Sequence, residues 1–214
     1  MRSDDEIRVA IEAAAEATGN NLGWRLFYSS PAVDERPRLA IIGLNPGGGS
    51  DEPWRSVIRQ PEGQSAYVNE FWAGYPAGEA PLQKQVQALC RWLGVEPADV
   101  LAGNLIPFRS PRFSELQGRA EALRFGEKLW KEILAAAHPE LIVTLGIPAY
   151  DGVARALGAK TTNTMPIGWG TQTARIGDHV GGRLIGLPHL SQYKIFSRPQ
   201  CHAALVELLG PPRG

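Results

Sequence analysis

Cysteine is scarce in this 214-residue chain, with Cys90 and Cys201 the only two. Two thiols cannot build a four-thiolate cluster or a disulfide framework, so a reducing, cytoplasmic setting is the expectation. Excess charge is missing as well, because 22 Lys and Arg balance 22 Asp and Glu. Such a chain casts no long-range field toward nucleic acid or membrane, although local patches and backbone N–H groups can still hold phosphates. No apolar run reaches the length that spans a bilayer, and the acidic first residues carry no signal-peptide core; a soluble, unexported protein with no membrane partner is expected. The glycines at 47 to 49 lack the Gly-Lys-Ser/Thr of a P-loop, and no Gly-x-Gly-x-x-Gly follows the first apolar run. That argues against ATP or a dinucleotide, and the expectation contains no cofactor and no metal.

What is present is a 43% hydrophobic composition, enough to bury one sizeable core, and the chain reads as a single domain over residues 1–214. Helical and strand patterns alternate along it. Ser3 and Glu6 have the spacing of a capping box, and Ile7, Ala10, Ile11 and Ala14 make one apolar stripe before Gly19-Asn20 ends it. Pro81 opens a second helix through Val86, Leu89 and Leu93, closed near Gly94. Ser114-Glu115-Leu116-Gln117 reads as the cap of a long amphipathic helix, and a last helix runs from Cys201 to Leu209. Four apolar runs read as strands: residues 39 to 44, 100 to 107, 141 to 146 and 183 to 187. Apolar on both sides and separated by helices, they predict a three-layer α/β/α sandwich around a central, mostly parallel four-stranded sheet. Residues 161 to 182 look turn-rich with a hairpin closed at Gly181-Gly182, and residues 47 to 81 look like a long functional loop with short helical turns.

In open parallel sheets, ligands bind just past the carboxyl ends of the strands. The first strand ends in Gly43-Leu44-Asn45-Pro46-Gly47, a sharp turn that presents one amide side chain. Alone, that segment suits an ordinary turn. The second strand, however, carries Asn104 ahead of Pro107, and the fourth runs into Pro188-His189-Leu190-Ser191. Three polar groups are thus expected at one edge of the sheet. His138, His179 and His202 have no such company and read as structural histidines, and the six tryptophans as core or loop anchors.

Taken in this order, these residues resemble the uracil-DNA glycosylase superfamily. Gly43-Leu44-Asn45-Pro46-Gly47 is similar to the first motif of its mismatch-specific and single-strand-selective branches. Asn104 in an apolar strand, residues 141 to 146, and the His-x-Ser of His189 and Ser191 follow in the family order, over about residues 38 to 209.

The resemblance implies cleavage of the N-glycosidic bond of uracil or a related deaminated base in DNA, with damaged DNA as partner and a monomer as the working unit. Asn45 would position a water and His189 would donate to the base oxygen as charge builds there; Asn104 would read the base edge. Gly43, Leu44, Pro46, Gly47 and Ser191 would complete the substrate site. Tyr193, four residues after His189, holds the place of an intercalating residue, with Lys194 and Arg198 near the DNA phosphates. Tyr67, Phe71, Trp54 and Tyr75 all qualify to stack on the flipped base, Tyr67 being preferred. The chain departs from the pattern in carrying Leu190 where His-Pro-Ser is usual. It also has Asn rather than Asp in the first motif, which predicts a slow enzyme. A non-catalytic nucleobase, nucleotide or DNA-end binding protein, or another hydrolase on the same scaffold, remains open.

Overall fold

Ser3 opens the first helix as its spacing dictates: its Oγ accepts from Glu6 N at 3.3 Å while the Glu6 carboxylate accepts from Ser3 N at 2.7 Å. In this computed structural model, which describes residues 2–30, 36–48 and 56–214, that helix is α1, Asp4–Thr18, ended by Gly19 in the left-handed region. There follow β1 (Leu39–Gly43), the short α2 (Ala66–Asn69), α3 (Pro81–Leu93), β2 (Leu101–Asn104), α4 (Arg119–Ala137), β3 (Leu141–Leu145), α5 (Ile147–Leu157), β4 (Lys160–Pro166), β5 (Thr173–His179), β6 (Gly182–Leu187) and α6 (His202–Leu209). Gly49 and Trp54 lie outside the described residues.

The sheet has order β2-β1-β3-β6-β5-β4. Its first four strands are parallel, and alternate residues feed two cores. Ala40, Ile42, Leu101 and Ile142 pack with Ile7, Ile11, Trp130, Ile133 and Tyr150 on the side of α1, α4 and α5. Ile41, Ala102, Val143 and Ile185 pack with Val86, Leu89, Leu205 and Leu208 on the side of α3 and α6. Three layers result, as expected from strands that are apolar on both faces.

Two expectations are corrected. The sheet has six strands rather than four and is mixed, because β4 and β5 extend it antiparallel beyond β6. The first five residues of β4 are exposed, and its Lys-Thr-Thr-Asn-Thr sequence suits a solvated edge, so no apolar run announces it. The turn between β5 and β6 does fall at residues 180 and 181, beside the predicted glycine pair. The second correction concerns Ser114 to Gln117, which do not cap α4. Phe113–Glu115 form a single three-ten turn, Leu116 is extended, and α4 begins after Gly118 at φ +52°. The reason is tertiary: Asn20, just past α1, donates from Nδ2 to Gln117 O at 2.9 Å and accepts from Gln117 N at 3.3 Å. The segment is docked on the end of α1 instead of being wound into α4.

One unpredicted element matters for the site. Residues 24 to 29 run along the outer edge of β2, where Tyr28 N donates to Ala102 O at 2.7 Å and Asn104 N donates to Leu26 O at 3.1 Å. Among the described residues, no helix is long and apolar enough to cross a membrane.

Candidate active site

The chain crosses from β1 to β2 on one side and to β3 on the other, so the direction of winding reverses at β1. A crevice forms at the carboxyl ends of strands where that happens. Asn45 stands there, half-buried, two residues past the end of β1. Its Nδ2 donates to Pro46 O and to Ser110 Oγ, both at 3.0 Å. Ser110 Oγ in turn donates to Arg112 O at 2.9 Å, which leaves its lone pair for Asn45. With both N–H groups engaged, the Asn45 amide presents its Oδ1 as an acceptor.

The turn behind it is built on backbone. Ser110 N donates to Pro46 O at 3.1 Å, and the buried Arg109 donates from Nε to Gly47 O at 3.1 Å. Gly48 has φ +110°, and a Cβ there would overlap the Arg109 guanidinium, so this position requires glycine. Gly47 faces open space above the turn. Leu44 is half-buried, and its carbonyl accepts from Ile106 N at 2.8 Å.

Asn104 ends β2 directly beside Gly43 and is buried. Its Oδ1 lies against the bare Cα of Gly43, and its Nδ2 donates to the Tyr28 hydroxyl at 2.8 Å. Trp130 Nε1 donates to the Asn104 carbonyl at 2.6 Å and holds the backbone from the other layer. The Tyr28 ring stacks on Tyr67 at 5.4 Å, and Trp72 meets both rings edge-on at 5.8 and 5.5 Å. Tyr67 is therefore an interior ring, 3% exposed and covered on one face by Tyr28, whereas Phe71 and Tyr75 are exposed. Burial pushes the ionisation of both phenols up, so each remains a neutral hydroxyl.

Polar groups set the aromatic cluster in place. Gln83 donates to Ala66 O and Glu70 O, both at 2.8 Å, and Gln87 donates to Tyr67 O at 2.7 Å, so α3 grips the turn that carries Tyr67. Arg25, under the Tyr28 ring at 4.9 Å, forms a bidentate pair with Glu70, which also accepts from Gln60 at 2.9 Å and Trp72 at 2.8 Å. Burial alone would raise the Glu70 carboxyl; the bonds from Arg25, Trp72 and Gln60 outweigh it and hold the group below its ordinary value.

His189 follows β6, and its ring lies beside Gly146 at the end of β3. Ser191 N donates to His189 Nδ1 at 3.3 Å, so this nitrogen is an acceptor and Ser191 Oγ, 2.7 Å away, donates to it too. The proton of the neutral ring is then on Nε2. Burial lowers the His189 pKa below 6.5, which keeps the ring neutral at pH 7. Leu190 is fully buried in the core under α3 and α6, and Pro188 is buried before it.

Past Ser191 the chain turns back, with Tyr193 N donating to His189 O at 3.0 Å. Gln85 of α3 reaches this segment, accepting from Phe196 N at 3.0 Å and donating to Ser197 Oγ at 2.7 Å. Tyr193 is half-buried and meets Trp169 edge-on at 6.0 Å; Lys194 and Arg198 are exposed, with the Arg198 guanidinium 4.6 Å from the centre of the Trp169 ring. The remaining histidines have local duties: His138 caps α4, His179 accepts from Gly181 N at 3.1 Å, and His202 packs on Trp92. Among the described residues, no group of His, Cys, Asp and Glu is arranged to hold a metal ion.

Tyr28, Ser110 and Gln85 escape a reading of the sequence, since each acts through a partner at least 65 residues away. Asn45, Asn104 and His189, by contrast, stand at the carboxyl ends of β1, β2 and β6, which belong to the parallel part of the sheet, in the order in which the sequence placed them. No individual curated protein matches the chain. The model of the Uracil DNA glycosylase superfamily does, over residues 30–208, a stretch that contains all three strand ends. A match of that extent makes this chain a member of the uracil DNA glycosylase superfamily.

Proposed function

We propose that the protein excises uracil or a related deaminated base from DNA by hydrolysing the N-glycosidic bond, in the manner of the branches with a Gly-x-Asn-Pro-Gly first motif. The observation that carries this reading is the way Asn45 and His189 are each fixed in one chemical orientation at the same edge of the sheet. Asn45 offers an acceptor, because both its N–H groups are engaged by Pro46 and Ser110. His189 offers a donor, because Nδ1 accepts from Ser191.

The reaction needs both. As the bond to the base lengthens, positive charge develops on the sugar and negative charge on the departing base. A water held by Asn45 Oδ1 is placed to attack the sugar carbon, and its proton is lost to solvent once the carbon–oxygen bond has formed. The His189 Nε2–H stabilises the carbonyl oxygen of the leaving base without having to give up its proton. An amide cannot act as a general base, so the rate depends mainly on leaving-group stabilisation. Asn104 reads the Watson–Crick edge, and the cluster of Tyr28, Tyr67 and Trp72 forms the apolar wall that receives the base. Tyr193 enters the gap left in a duplex, and Lys194 and Arg198 meet the phosphates beside it.

The alternative, a binding protein that keeps the pocket without the chemistry, is favoured by one observation: position 45 carries an amide and not a carboxylate. One assay separates the two. Single- and double-stranded oligonucleotides bearing uracil, hypoxanthine or xanthine are incubated with excess protein and then treated with alkali. Strand breaks at the modified base support the glycosylase, and their absence on every substrate overturns it. Binding of free uracil without strand breaks supports the second reading.

A further inference from the structure

Residues 71–78, Phe-Trp-Ala-Gly-Tyr-Pro-Ala-Gly, carry no charge, and much of the segment faces solvent. Among the described residues five large hydrophobic side chains are exposed, and three of them, Val68, Phe71 and Tyr75, fall between positions 68 and 75 and include both aromatics. Phe71 is 78% exposed and Tyr75 46%. A single apolar side chain in water needs no explanation, but a cluster of them marks a place where something binds.

The segment is pinned at several points. Trp72 turns inward, meets the Tyr28 and Tyr67 rings edge-on and donates from Nε1 to Glu70 at 2.8 Å. Tyr75 N donates to Trp72 O at 2.9 Å and Gly78 N to Glu70 O at 3.2 Å, while Gln87 of α3 donates to Gly78 O at 2.8 Å. Ala73 sits at φ +50°, a left-handed backbone that a residue with a side chain rarely adopts. The fold thus maintains a tight turn whose inner ring belongs to the aromatic wall of the pocket while its outer rings face water. The flanking carboxylates of Glu70 and Glu79 are paired with Arg25 and Lys84, so their charge is compensated beside those rings.

We propose that Phe71 and Tyr75 form a stacking platform outside the pocket that holds unpaired bases beside the flipped one and makes single-stranded DNA the preferred substrate. The inference rests on the reading of the protein as one that acts on DNA. Every nucleobase has an apolar face, so exposed rings hold a single strand without reading its sequence. In a duplex the same faces are covered by stacked neighbours, and the rings find nothing to cover. A protein partner fits less well, because two rings and a valine fall short of the ~800 Å² that each side gives to a stable interface.

Phe71→Ala and Tyr75→Ala test it, since both side chains are exposed and their removal leaves the core intact. Binding of wild type and variants to a fluorescein-labelled, mixed-sequence single strand without uracil, and to the matching duplex, is followed by anisotropy, with thermal unfolding as the check on folding. The wild type is expected to favour the single strand. Each alanine variant is expected to bind that strand at least about fivefold more weakly, the low end for one stacked base, while duplex affinity changes less than about twofold. Phe71→Tyr, which keeps the ring, is expected to bind like wild type. A wild type that favours the duplex or binds neither form, wild-type affinity in either alanine variant, or equal loss on both forms overturns the inference. So does a dimeric wild type that Phe71→Ala turns monomeric with single-strand affinity kept, which would assign the patch to a second copy of the chain. The alkali strand-break assay decides the glycosylase reading separately: a selective loss of single-strand binding without strand breaks on any substrate refutes that reading and leaves the platform in place.

Discussion

Gly43 and Asn104 face each other across the β1–β2 ladder so closely that any side chain at 43 would overlap the Asn104 Oδ1. Gly43 is not in the left-handed region, so its backbone would accept alanine. The expected result of Gly43→Ala is a displaced Asn104 amide, with uracil cleavage down more than about tenfold and stability lowered by only about 1 kcal/mol. Cleavage rates together with thermal unfolding check this. An unchanged rate would mean that Asn104 does not read the base.

Asn45→Ala should reduce cleavage by more than an order of magnitude, because the water loses its acceptor. Ser110→Ala should reduce it less, by about three- to tenfold, since one of two bonds orienting the Asn45 amide remains. Both variants should unfold at temperatures close to wild type. Equal losses in the two would assign Ser110 a direct role rather than an orienting one.

His189→Ala should likewise cost more than an order of magnitude in cleavage. Because burial depresses its pKa, the ring is expected to titrate below 6.5 and to carry its proton on Nε2 at neutral pH. Imidazole ¹⁵N shifts followed from pH 5 to 8 measure both properties. Ser191→Ala should leave Nδ1 with the backbone donor alone and reduce cleavage severalfold. A ring titrating above 6.5 would remove the neutral-donor role.

Tyr193→Ala is expected to hurt cleavage of duplex substrate more than that of single strands, because only the duplex leaves a gap to fill. Measuring kcat/KM on the same uracil sequence in both forms decides it. Equal loss on both would place Tyr193 outside the wedge role and leave it as packing for Trp169.

Glu70→Gln should destabilise the fold by about 2 kcal/mol at pH 7, by weakening the charged bonds to buried Arg25. The folded-state pKa of Glu70 lies below its ordinary 4.5, so this stability is fully present above 4.5 and is lost as pH falls through the lowered value. Denaturant unfolding at pH 7 and pH 3 should show the gap between wild type and variant shrinking with acid. A constant gap would contradict the charge-linked account.

What was legible in the sequence is what local chemistry decides. The capping box of α1, the proline start and glycine end of α3, and four strands apolar on both faces need no distant partner to be recognised. Asn45, Asn104 and His189 were legible for a related reason: a polar residue at the end of a buried strand stands out against the run before it. The start of α4 was misjudged because Ser114 and Glu115 have capping chemistry, while docking on Asn20 uses the neighbouring backbone instead.

The sequence by itself determined the layers and the edge of the sheet at which Asn45, Asn104 and His189 stand. Only tertiary structure decided which way those side chains point. Asn45 takes its orientation from the Pro46 carbonyl and Ser110, and His189 from the Ser191 N–H, while Asn104 meets Tyr28 on a segment that covers an open strand edge. An amide or an imidazole has two ends of nearly the same shape, and the end that faces the substrate is fixed by the hydrogen bond made at the other.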